Sequence, residues 1–293
     1  MQTWIFLVVI AQFISAVVVL LDKYLIRQVS QPAVYAFIVS VLSGAVIVLL
    51  PFGVVSVPSF IVLVVSLGAA TSFTLSLVML YRALAIADAS DVAPVMGGIA
   101  AIATLAFSWL VLRDRLPDGF VFGFALLVLG TFLVSHFRLS RAALTYALVA
   151  GIAFGLSSVL LKTIFFETSF LNGFFWSRMA NVTVALLFLI PGSVRRSILA
   201  DVRQSKSHLP LVLLANKLLA GTAFFLTLLA IKLGNVSLVS ALAGLQFMFL
   251  LLFAAFASAR FPQYFPEEMS TKAFAVKIVA VFFILTGFLI LFI

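Results

Sequence analysis

The chain has 293 residues, of which 65% are hydrophobic and only 9% charged, and its mean hydropathy is +1.32. Soluble domains carry about a quarter charged residues and just under half apolar ones, so this composition excludes a water-facing globular fold. A net charge of +9 then points to short basic loops meeting anionic lipid heads rather than to nucleic acid.

A helix needs about 20 mostly apolar residues to cross the hydrocarbon. Runs of that kind fall, in chain order, at 3–21, 32–50, 59–80, 92–112 and 119–135, then at 142–161, 170–190, 209–231, 236–258 and 273–293. No basic residue precedes the first run, whose first lysine is Lys23, so it reads as a retained helix and not as a cleaved leader. The expectation is an all-α integral membrane protein with ten transmembrane helices.

The two sets of five align. Lys23 falls on Lys162 at the ends of the first and sixth runs, and Pro51 on Pro191 after the second and seventh. Residues 83–92 fall on 230–239, and Gly130-Thr131-Phe132-Leu133 on Thr286-Gly287-Phe288-Leu289. Because five is odd, the second copy crosses the membrane in the opposite sense. Residues 1–138 and 139–293 are therefore expected to form two inverted five-helix repeats, a plan that recurs in secondary transporters.

Several motifs resemble the drug/metabolite transporter superfamily, in particular its EamA-type members. Tyr81-Arg82-Ala83-Leu84 is similar to the family's exit from the third helix. Ser108-Trp109-Leu110-Val111-Leu112-Arg113-Asp114-Arg115-Leu116 is similar to its apolar fourth helix, with Arg113-Asp114 where the family has Gly-Glu. Lys23 and Lys162 resemble the lysine late in the first helix of each repeat, and Phe174-Phe175-Trp176-Ser177-Arg178 resembles an aromatic-then-Arg entry to the second. The resemblance spans the chain. It implies a transporter of small metabolites such as amino acids in the cell (inner) membrane, and names no substrate.

Charge at membrane depth costs at least about 2.5–3.5 kcal/mol and needs a reason. Lys217 with Asn216, Gln246, and Arg178 lie well inside their runs. They form the candidate substrate-binding set, together with Tyr81 and Trp176 from the matched motifs. Lys217 or Arg178 could take a carboxylate or phosphate, and Gln246 could donate and accept. Competing readings are snorkelling for Arg178, interhelical bonding for Gln246 and membrane anchoring for Lys23 and Lys162. Gly97-Gly98 is the candidate hinge of the fourth helix, while Gly151/Gly155 and Gly119/Gly123 have the spacing of close helix contacts.

Other chemistry finds little support. Cysteine is absent and there are two histidines, His136 and His208, so neither a metal nor a cofactor is expected. No nucleophile–base cluster suggests an enzyme. No Asp or Glu occupies the central third of a run, which favours facilitated diffusion or exchange; the alternative is that loop carboxylates such as Asp22 or Asp91 line the cavity. The alternatives are a lipid-linked carrier flippase and a membrane scaffold. The expected partners are a small molecule and membrane lipids, in a monomer or homodimer. Most Lys and Arg fall in odd-numbered loops, which places both termini outside, whereas the resemblance implies both inside.

Overall fold

The computed structural model describes residues 3–26, 32–114, 120–134, 139–187, 190, 192, 195–196, 209–260 and 271–290. His136, His208, Pro191, Gly119 and Arg115-Leu116 lie outside the described residues. The described chain is all helical, without strands.

Helix α1 (Thr3–Ile26) is followed by α2 (Pro32–Leu42), which tightens into a 3-10 stretch, Ser43–Phe52, ended by left-handed Gly53. Then come α3 (Phe60–Ile86), α4 (Ala89–Phe107) with a π turn at Ser108–Leu112, α5 (Val121–Val134), α6 (Arg141–Glu167) and α7 (Phe170–Leu186). The remainder is α8 (Leu209–Leu233), the short α9 (Val236–Ala241), α10 (Gly244–Arg260) and α11 (Thr271–Ile290). Polar residues set several starts. Ser59, Ser140 and Ser169 accept from the amides of Val62, Ala143 and Asn172, and the Asn235 side chain accepts from those of Ser237 and Leu238.

Six of these segments are long and apolar enough to cross a membrane: Thr3–Ile26, Pro32–Phe52, Phe60–Ile86, Asp91–Leu112, Arg141–Glu167 and Leu211–Leu233. Three shorter apolar helices accompany them, Val121–Leu133, Val236–Leu250 and Val279–Ile290. Large apolar side chains such as Phe6, Phe52, Phe60, Phe122 and Phe282 stand outward, as a lipid-facing surface requires.

Several helices outrun their apolar stretches. α1 continues past residue 21, α3 past 80 and α6 past 161. Asp22 thus sits inside a helix instead of in a loop, which revises the sequence expectation for it, and Lys23 and Lys162 stand before the ends of their helices. The reason is local: each of these charges finds partners on a neighbouring helix, so charge does not end the helix there.

Inside, α6 lies against both α3 and α4, α1 against α8, and α5 against α11. Gly151 and Gly155 let α6 approach α4 closely. A Cβ at Gly151 would lie 2.7 Å from the Met96 carbonyl oxygen, and one at Gly155 would lie 2.8 Å from the Ala103 Cβ and the Thr104 nitrogen. Gly97 and Gly98 have a packing role too. They lie in unbroken α4, facing the rings of Phe247 and Phe132. An interruption is visible at Leu242–Ala243 between α9 and α10, where Leu245 N–H donates to Leu242 O and Gln246 N–H to Ala243 O.

Candidate functional site

Among the described residues, buried or half-buried charges stand in three settings. The first centres on Asp22, near the end of α1. Its Oδ1 accepts from Tyr35 Oη of α2, from Asn216 Nδ2 and from Lys217 Nζ of α8, each at 2.6 Å. Tyr81 Oη of α3 approaches Oδ2 at 3.5 Å. The Asp22 and Lys217 side chains are 8% and 7% exposed, so this is a buried ion pair. Lys217 Nζ also lies 4.6 Å from the Tyr35 ring centre, and Tyr35 and Tyr81 meet edge to face. A carboxylate taken out of water is tolerable only with its lone pairs engaged, and here four side chains from three helices engage them.

The second constellation holds one cation among aromatic rings. Arg178 of α7 is 7% exposed. Its guanidinium carbon is 4.4 Å from the Phe224 ring centre and 5.3 Å from that of Phe73. It therefore does not snorkel; it rests on aromatic rings in the interior. No described carboxylate pairs with it, and its Nε has no hydrogen-bond partner. Asn181, one turn on, is fully buried with both amide atoms unpartnered.

The third is a matched pair of clamps. Lys23 Nζ of α1 donates to Leu84 O at 2.7 Å and to Ala87 O, at the carboxyl end of α3, and lies 3.9 Å from Asp88. Lys162 Nζ of α6 donates to Ile231 O, Lys232 O and Gly234 O at 2.6, 3.1 and 2.9 Å, at the carboxyl end of α8. Each ammonium satisfies carbonyls that a helix end leaves orphaned. The alignment of 83–92 on 230–239 carries Leu84 onto Ile231 and Ala87 onto Gly234, so the two lysines hold equivalent atoms. It also carries Asp88 onto Asn235, the caps of α4 and α9; Asn235 Nδ2 further donates to Asp114 at 2.9 Å.

Of the six residues expected to bind substrate, Lys217, Asn216 and Tyr81 come together around Asp22, and Arg178 stands apart among phenylalanines. Trp176 Nε1 donates to Ser56 O at 2.9 Å, tying α7 to the loop before α3. Gln246 is half-buried in the first turn of α10 and makes no side-chain hydrogen bond to the described residues. The sequence reading left Asp22 and Tyr35 out of the candidate set. By sequence Asp22 reads as a loop carboxylate after the first run, and nothing in the local sequence of Tyr35 marks it. The neighbouring Asp22-Lys23 pair was a usable signal, because two adjacent charges on a helix cannot both face lipid.

No family model and no curated protein matches the sequence. Among 19 matching chains of known structure, one crystal structure superposes with a TM-score of 0.65 over 96% of this chain and 97% of its own length, at 18% identity. The fold is shared over nearly the whole of both chains.

Proposed function

We propose that this chain is a secondary transporter that exports or exchanges small metabolites, such as amino acids, across the cell (inner) membrane by alternating access. Ten transmembrane helices would form two inverted repeats, 1–138 and 139–293, of the EamA type in the drug/metabolite transporter superfamily. The observation that carries the reading is the pair of lysine clamps. Lys23 and Lys162 hold equivalent carbonyls at the ends of α3 and α8, as expected if one ancestral helix unit occurs twice. The reciprocal pairing of α1 with α8 and of α6 with α3 has the same pseudo-symmetric sense.

Alternating access needs two similar halves that rock about a central site. It also needs polar groups that leave lipid for an interior path, and the Asp22 cluster joins helices of both halves. The reading includes no enzyme activity. The test is reconstitution in liposomes with a mixed pool of amino acids, sugars, nucleotides and organic cations, scored by mass spectrometry against Lys217→Ala. Uptake of one chemical class, lost in the variant, is the expected result. Folded protein that takes up nothing soluble would overturn it in favour of lipid flipping.

A further inference from the structure

Lys217 and Arg178 were equivalent candidates for an anion in sequence; in space they are not. Lys217 already has its counter-ion, Asp22, at 2.6 Å. Lys23 and Lys162 spend their protons on helix-end carbonyls. Arg178 alone among these four buried or half-buried cations has no acceptor among the described residues.

A guanidinium carries five N–H donors in its own plane. The rings of Phe73 and Phe224 offer only their π faces to it, and they are themselves 5.3 Å apart, so they wall one side of the cation and do not enclose it. Ring contact of this kind offsets part of the desolvation but leaves the in-plane donors unused. Asn181 adds an unpartnered amide donor and acceptor on the same helix, one turn away. Phe154 continues the aromatic wall beyond Phe73. Among the described residues, an arrangement that pairs the other buried charges and leaves this one open has the form of a site awaiting its ligand.

We propose that Arg178 and Asn181 dock a single oxyanion, carboxylate or phosphate monoester, carried on an apolar body that packs against Phe73 and Phe224. This assigns a substrate class and rests on the transporter reading above. The ligand takes the guanidinium edge-on through two parallel N–H···O bonds, a geometry lysine cannot reproduce. Asn181 orients the second face of the same group.

The test is thermal melting of the full-length protein in detergent with benzoate, phenyl phosphate, hexanoate, benzamide or benzylammonium. The three oxyanions raise the Tm by about 3 °C or more at saturation, and benzamide and benzylammonium leave it unchanged. Arg178→Met removes the anion shift, and without ligand it melts no lower than the wild type, since an unpaired buried cation is itself destabilising. Should that variant not fold, Arg178→Lys serves, with the shift reduced at least several-fold. No shift with any of the three anions, an equal shift with benzamide, or a shift that survives Arg178→Met overturns the proposal. Anion binding without flux in liposomes would sink the transport reading and leave this site standing. Flux of uncharged compounds without an anion shift would do the reverse.

Discussion

The Lys217 ammonium lies 2.6 Å from the Asp22 carboxylate although 195 positions separate the two in the chain. The pair couples α1 to α8, with both side chains less than a tenth exposed. Breaking a buried pair from one side costs about 3–5 kcal/mol, because the partner is stranded. Asp22→Asn and Lys217→Met are each expected to lower the melting temperature sharply, and the double variant to recover most of the loss. A double variant as unstable as the two single effects added together would show that the pair is not the coupled unit described here.

Tyr35 gives a milder probe of the same cluster. Its hydroxyl donates to the charged Asp22 at 2.6 Å, and such bonds contribute about 1.5–3 kcal/mol. Tyr35→Phe keeps the ring beneath Lys217 and removes only that donor. The expected outcome is a modest loss of stability in melting curves. Tyr81→Phe, whose contact is longer at 3.5 Å, is expected to lose less.

The two lysine clamps predict matched local effects. Lys23→Met should loosen the carboxyl end of α3 around 84–87, and Lys162→Met that of α8 around 231–234, each at a cost of about 1–3 kcal/mol for carbonyls left without partners. Hydrogen–deuterium exchange reads this directly. Faster exchange confined to the end of the clamped helix is expected in each variant, and exchange unchanged at both ends would contradict the clamping role.

Packing of α6 on α4 makes a sharper contrast. Gly155→Leu drives a side chain into Ala103 and the Thr104 backbone, whereas Gly221 has nothing within 4 Å of where its Cβ would stand. Overpacking costs about 1–3 kcal/mol or more, while an open position changes stability within about 0.5 kcal/mol. Melting of Gly155→Leu beside Gly221→Leu checks the difference.

Gly97 tests whether packing or bending explains the glycine pair of α4. Gly97→Ala meets the Phe247 ring, and Phe247 is buried. If packing is the reason, Gly97→Ala destabilises and Gly97→Ala with Phe247→Leu recovers. A pair that stays stable but loses liposome flux would favour the hinge.

Composition and hydropathy by themselves determined that this chain is a helical membrane protein, because apolar surface on this scale has no other place to go. The spacing of Lys23 and Lys162 and the match of 83–92 with 230–239 also marked, without any coordinates, the positions where two clamps lie. Helix lengths and charge partners were decided only in three dimensions. Asp22 read as a loop carboxylate because a charge after an apolar run normally ends a span; it stays in α1 because α2, α3 and α8 bring it donors. Lys217 and Arg178 read alike because a sequence records a side chain's charge and depth but not its counter-ion. Tertiary packing gave Lys217 a carboxylate and, among the described residues, gave Arg178 only rings, and that difference separates a pair holding the bundle together from a cation left open to a ligand.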